Sequence, residues 1–345
     1  MKLDVRLTVP QQQAGEAARR YEEAGYSGIW ISETTHDPFL SVLLSAQTTT
    51  TAEVGTSIVV AFARSPMTVA ISANDLQALS GGRLVLGLGT QVRSHILHRF
   101  SMPWSHPAPR MREFVLALRA IWRSWNEGVP LDFEGEFYHH TLMTPFFAPD
   151  PNPFGPPKVM VAGVGPRMTE VAGEVADGFI CHAFTTERYL REVTIPALLR
   201  GRAGIGKGME GFEISGPSFI VTGATAEAFD IALRETKQQI AFYASTPAYR
   251  PVLEVHGWGE LQSDLNALAR QDRWDEMGEL IDDDVLNGFA IVAEPAEIAP
   301  ALAERFEGLV QRTSLYIPYE SDPSTWQPVV DAIRSGGRTA TLEDT

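Results

Sequence analysis

A single cysteine in 345 residues excludes an intrachain disulfide framework and any metal site built on paired thiolates. That residue, Cys181, lies in an apolar run with only His182 as a close base, so it reads as a structural buried thiol and not as a nucleophile. Positive charge is also scarce: 28 Lys and Arg stand against 43 Asp and Glu, for a net charge of −15. Nucleic acid and anionic membrane surfaces, which need a basic face, are therefore poor partners, and the acidity itself reads as solubility. There is no apolar run of membrane-spanning length and no signal-peptide pattern ahead of the strand-like opening MKLDVRL, so the cytoplasm is the expected location. No Cys or His cluster has metal-ligand spacing, and the pair His139-His140 is too little to specify a metal, so none is expected. No repeat of fixed period occurs, and no Gly-x-Gly-x-x-Gly follows the first strand, which argues against a doubly wound dinucleotide-binding sheet.

What is present is an ordinary globular composition, 44% hydrophobic and 21% charged, long enough for a full core as one large domain or two smaller ones. Strand-like and helix-like segments alternate along the chain. Leu3–Leu7 reads as a strand, Pro10 to Ala24 as a helix closed by Gly25, and Gly28–Ser32 as a second strand. Pro38 to Thr48 reads as a helix, Val54–Ala61 as a third strand, Pro66 as the opening of the next helix, and Leu84–Leu88 as a fourth strand. Arg110–Trp125 is helical, 128–157 a hairpin and loop, Lys158–Ala162 a fifth strand, Pro166–Val175 a helix and Gly178–Cys181 a sixth strand. A helix over Thr185–Leu199 leads to a glycine-rich stretch and to a seventh strand, Phe212–Thr222, interruptible at Gly216-Pro217. Helix Ala224–Tyr243, several short helices over 244–288, helix Pro295–Phe306, an eighth strand Ser314–Tyr319 and a closing helix follow. Eight strands alternating with helices imply an α/β (β/α)8 barrel, one domain over 1–335 with insertions at about 91–157 and 244–288 and a tail at 336–345.

In such a barrel the chemistry gathers at the C-terminal strand ends. After the second strand stand Glu33, Thr34, Thr35, His36 and Asp37. His36 ordinarily titrates near neutrality and is a candidate proton donor or acceptor, or else a structurally bonded loop histidine; Asp37 reads as the N-cap of the helix opened by Pro38. After the fourth strand, Gly89, Thr90 and Gln91 offer backbone donors and a hydroxyl. After the fifth, Ala162, Gly163, Val164 and Gly165 run into a helix start, a combination suited to a phosphate, with Met168 one turn on.

Particular wording carries a family resemblance. Gly55-Thr56-Ser57-Ile58, then Arg64-Ser65-Pro66, then Ser80-Gly81-Gly82-Arg83 and a strand ending Gly87-Leu88-Gly89-Thr90, together with Ala162-Gly163 through Asp177-Gly178-Phe179, resemble the luciferase-like superfamily of flavin and deazaflavin oxidoreductases. The segment from Ala241 to Arg250 with His256-Gly257-Trp258 resembles a narrower branch assigned to the deazaflavin coenzyme F-420. The resemblance implies a non-prolyl cis peptide between Ser57 and Ile58, in a bulge that backs the cofactor ring. It implies coenzyme F-420 as cofactor, with FMN in an FMNH2-dependent monooxygenase as the alternative and a non-catalytic flavin-binding barrel as a third reading. It also shows departures. The deazaflavin sugar-phosphate dehydrogenases end their second strand in Ser-Asp-His, where Ser32-Glu33-Thr34 stands here, and Val92 replaces their acid after the fourth strand. Glu33 keeps an acid and His36 lies two residues beyond the missing histidine, so these two are the candidate catalytic residues. Trp104, Phe184, Tyr243 and Trp258, with Phe137, Phe146 and Phe147, are candidates to line a pocket for a larger, apolar or aromatic small-molecule substrate. Apolar helical faces are compatible with a homodimer.

Overall fold

A computed structural model describes residues 1–336 of the chain; the expected tail, from 337 on, lies outside the described residues. In chain order the strands are β1 Lys2–Arg6, β2 Gly28–Ile31, β3 Glu53–Thr56, β4 Val59–Val60, β5 Leu84–Gly89, β6 Phe133–Glu134, β7 His139–His140, β8 Lys158–Gly163, β9 Gly178–Cys181, β10 Glu213–Ser215, β11 Ser218–Val221, β12 Ala290–Val292 and β13 Arg312–Tyr316. Eight of them form a ring in the order β1, β2, β3, β5, β8, β9, β10, β13, and β1 pairs back onto β13 in parallel register, Leu3 opposite Thr313. With helices in the connections this is the expected closed (β/α)8 barrel. β6 and β7 form the antiparallel hairpin expected between the fourth and fifth barrel strands.

The chain divides into two compact units, a larger one of residues 5–180 and 197–213 and a smaller one of residues 1–4, 181–196 and 214 onward. In the larger unit the helix starts are set by caps that the sequence carries. Asp37 accepts a hydrogen bond from Phe39 N at 2.9 Å ahead of helix Pro38–Thr48, and Ser65 accepts from Thr68 N at 3.2 Å ahead of helix Pro66–Leu79. β5 is buried along all six residues, as a strand covered on both faces must be. Gly87 within it has no room for a side chain: a Cβ there would stand 1.9 Å from the carbonyl oxygen of Thr56. Helix Pro107–Glu127 is fixed to its neighbours by Trp122 Nε1 donating to Ala70 O at 3.1 Å and by Arg119 donating to Val175 O.

In the smaller unit, Asp4 on β1 and Arg312 on β13 form an ion pair with contacts of 2.6 and 2.9 Å, their side chains 1% and 0% exposed. β11 lies between β13 and β12, so the sheet gains a short strand, Ala290–Val292, that the sequence pattern does not mark; three residues are too few to show a period of two.

Three expected elements are broken, each for a local reason. The third strand stops at Thr56 and resumes as β4, with a cis peptide between Ser57 and Ile58, and Ala61 belongs to a short 3-10 turn. The seventh strand splits into β10 and β11 at Gly216-Pro217, where proline offers no N–H to the ladder. The helix expected over Thr185–Leu199 contains a π segment, Leu190–Thr194, and continues as Ile195–Gly204; Pro196, lacking an N–H, relaxes the ladder there.

Candidate functional site

In the larger unit, the turn after β2 is tied to the segment after β3 by both backbone and side chain. Ser32 Oγ donates to Ser57 O at 2.7 Å, and Glu33 N donates to Ile58 O at 3.1 Å. The Glu33 carboxylate, 6% exposed, accepts from Val60 N at 2.7 Å and from Arg64 Nη1 at 2.9 and 2.7 Å. Arg64 also donates to Val60 O at 3.3 Å and to Asp37 at 2.8 Å. Glu33 is therefore a brace on residues 57–60, its oxygens spent on fixed donors. His36 is exposed and has no hydrogen-bond partner among the described residues. Arg64, to which the sequence alone assigns no role, is the arginine of the Arg-x-Pro wording.

The braced segment presents Ile58 to a core of Trp30, Val85, Met160 and Ile180, with Ala162 packed alongside. Gly89 is small because Ile58 lies over it: a Cβ at 89 would meet the Ile58 side chain at 2.6 Å. Next to it, Thr90 Oγ1 donates to Gln91 O at 2.9 Å, and Gln91, in the left-handed region with φ 60°, accepts from Val92 N through its own side chain. At the end of β8, a Cβ on Gly163 would meet Met168 at 2.8 Å, whereas a Cβ on Gly165 would meet nothing within 4 Å. Gly165 is the N-cap of the ten-residue helix Pro166–Val175, so open space adjoins a helix start there. Trp104, the substrate-pocket candidate of this unit, packs edge-on to Phe62 with centroids 5.8 Å apart.

The smaller unit gathers the remaining aromatic candidates. Phe184 is buried and stacks on Phe289 at 4.3 Å, and Tyr243 shares a 2.7 Å hydrogen bond with Tyr316. Trp258 stacks on His256 at 4.2 Å, and the His256 ring is held by Thr186 at 2.8 Å. His182, directly after β9, lies against both Tyr249 and Tyr243 with centroid distances of 4.7 Å. The sequence reading passed over His182 and Tyr249, treating the histidine only as a neighbour of Cys181. The Cys181 thiol is buried, and burial pushes it up to about 12, which keeps it protonated and unreactive. Phe146 and Phe147 are exposed and touch edge-on. Among the described residues no group of three or more His, Cys, Asp or Glu side chains could hold a metal, and no helix is long and apolar enough to cross a membrane.

The model of the luciferase-like monooxygenase family matches residues 3–312. An uncharacterized protein of Mycobacterium tuberculosis is 53% identical over 312 residues, which span 90% of this chain and 92% of that protein. The F-420-dependent glucose-6-phosphate dehydrogenase of Mycobacterium avium is 31% identical over 181 residues, 50% of this chain and 52% of that one. The solved structure of the coenzyme F-420 dependent tetrahydromethanopterin reductase from Methanopyrus kandleri matches with a TM-score of 0.79 at 18% identity, covering 97% of this chain and 98% of its own, a likeness of fold.

Proposed function

The chain belongs to the luciferase-like monooxygenase family, a family of oxidoreductases, and on that premise we propose that it transfers a hydride between coenzyme F-420 and a small apolar or aromatic substrate. The observation that carries the reading is the braced segment: Ser57 and Ile58 are held by Ser32, Glu33 and Arg64 next to the small end of β5. A planar ring needs such a rigid backing. Gly165, with open space where a Cβ would stand at a helix start, suits the phosphate of the same cofactor. Gly89, Thr90 and Gln91 and the run Ala162, Gly163, Val164 would complete its cradle, with Met168 covering Gly163.

When bound, the deazaflavin supplies two-electron hydride chemistry with little reactivity toward oxygen. The chain's own part is to orient and to shield. Glu33, fully engaged by Arg64 and Val60, holds the ring support in place. In the smaller unit Tyr243 and Trp258 are half-buried and offer apolar surface, whereas Phe184 is buried.

The family description favours one other reading, a monooxygenase using reduced FMN and oxygen. The two separate in an anaerobic assay. Reduced coenzyme F-420 mixed with the protein and a panel of ketones and enones is reoxidised without oxygen under the deazaflavin reading. Turnover that appears only with reduced FMN and oxygen supports the monooxygenase.

A further inference from the structure

The larger unit holds a buried cation that the brace around Glu33 does not use. Arg110, in the first turn of helix Pro107–Glu127, is 7% exposed. A buried guanidinium is costly unless an anion faces it, and among the described residues Arg110 has no ion-pair partner. Glu113, one turn on along the same helix, spends its carboxylate on the backbone N–H groups of Glu136, Phe137 and Tyr138 at 2.8, 2.8 and 3.3 Å. Of the five N–H bonds of the guanidinium two are spent: Nε donates to Tyr138 Oη at 2.9 Å and Nη1 to Pro103 O at 2.7 Å. Three remain, and Nη2, which carries two of them, has no partner among the described residues and is not sealed from solvent. Because a guanidinium can only donate, the Tyr138 oxygen accepts, and the hydrogen of that hydroxyl is unspent as well. Burial holds the phenol above its ordinary range, so this hydrogen stays in place at neutral pH.

Unspent donors around a buried positive charge call for an anion. The helix start has the same preference, since a cation is disfavoured and an anion favoured at that end. Arg202 is as deeply buried, at 8% exposure, but lies in the last turn of its helix, where the backbone carbonyls offset a cation. Pro107 and Pro109 bring no N–H, and Arg110 N is bonded to His106 O, so the backbone here is poorly supplied to hold a phosphate. A carboxylate, which matches the guanidinium fork with two parallel bonds, is the fitting group. The guanidinium lies over the Phe62 ring at 4.4 Å and 5.7 Å from that of Tyr138, and Trp104 packs edge-on to Phe62. Phe62 stands two residues beyond Val60, whose N–H Glu33 holds, so the cation adjoins the braced segment. All of these groups belong to the larger unit.

We propose that Arg110, with the Tyr138 hydroxyl beside it, binds the carboxylate of the substrate, which is an aromatic acid. This rests on the hydride-transfer reading above and narrows its substrate class. The carboxylate takes the unspent N–H groups of Arg110 and the hydrogen of Tyr138. Trp104, half-buried beside Phe62, gives apolar surface to the ring of the acid. Arg110 is a binding residue that sets specificity; it moves no proton and forms no covalent bond.

The test titrates the full chain with 4-acetylbenzoate and with its neutral counterpart 4-acetylbenzamide by calorimetry. The wild type binds the acid about 10- to 100-fold more tightly than the amide. Arg110→Met abolishes that preference, and Arg110→Lys, a point charge without the fork, keeps part of it. Tyr138→Phe reduces it by about threefold or more. Equal binding of acid and amide by the wild type, no binding of the acid at millimolar concentration, or a preference that persists in Arg110→Met overturns the proposal. Where Arg110→Met fails to fold, the wild-type comparison and Arg110→Lys decide. Coenzyme F-420 affinity is measured on the same samples and is unchanged in Arg110→Met; a fall of about tenfold or more there assigns the donors to an anionic group of the cofactor and overturns the substrate assignment. A preference for the acid in a wild type that does not bind coenzyme F-420 sinks the hydride reading and leaves the Arg110 site standing. Cofactor binding without the preference does the reverse.

Discussion

Arg64 holds both oxygens of Glu33 through one nitrogen, at 2.9 and 2.7 Å, in a site where the Glu33 side chain is only 6% exposed. Because Val60 N takes the same carboxylate, the pair fixes residues 57–60. Glu33→Gln is expected to lower stability by about 2–3 kcal/mol, below the range for a fully buried pair because Arg64 keeps 17% exposure. It should weaken coenzyme F-420 binding by about tenfold, or about 1.4 kcal/mol, and leave the pH profile of kcat in place. A pH profile that loses a limb in Glu33→Gln would instead make Glu33 the proton carrier.

The ion pair of Asp4 with Arg312 joins the first barrel strand to the last. Asp4→Ala removes the carboxylate from a guanidinium that is 0% exposed, and the expected loss is about 3–5 kcal/mol in urea unfolding. A loss under about 1 kcal/mol would mean that water reaches the arginine once its partner is gone.

Glu22 gives the fold a specific acid sensitivity. Burial alone would raise its pKa, but backbone N–H bonds from Ala52, Thr51 and Thr50 and the Thr51 hydroxyl outweigh that and bring it from 4.5 to about 2. The folded protein binds this proton less readily than the unfolded chain, so the stabilisation is complete above pH 4.5 and is lost as pH falls toward 2. The stability gap between wild type and Glu22→Gln should be constant near neutrality and close over that window. A gap that persists at pH 2 contradicts the assignment.

Two glycines separate folding from binding. Gly87→Ala puts a Cβ 1.9 Å from a carbonyl oxygen and should prevent folding or cost more than about 3 kcal/mol. Gly165→Ala meets nothing within 4 Å and sits at φ −76°, so its melting temperature should match that of the wild type. A fall in coenzyme F-420 affinity in Gly165→Ala, without a change in stability, would locate the phosphate. Unaltered affinity would move it away from this helix start.

The barrel was legible because its strands are long enough to show their pattern and its helices carry their caps in the sequence, as at Asp37 and Ser65. What escaped was short or long-range. β12 has three residues and no period to read. The Glu33–Arg64 brace joins residues 31 apart, and no spacing rule connects them. His182 and Tyr249 are 67 apart and meet only once the chain is folded. The Ser57–Ile58 cis peptide was expected from family wording alone, since composition and periodicity carry no sign of it. Among the proposed site residues, Glu33 is the case where residue type suggested a proton donor and the contacts suggest a brace.

The most direct measurement is a side-by-side fluorescence titration of the purified apoprotein with oxidised coenzyme F-420 and with FMN. The account predicts micromolar or tighter binding of coenzyme F-420, with FMN weaker by at least about tenfold. Tighter binding of FMN would contradict it and turn attention to the monooxygenase reading and its flavin reductase.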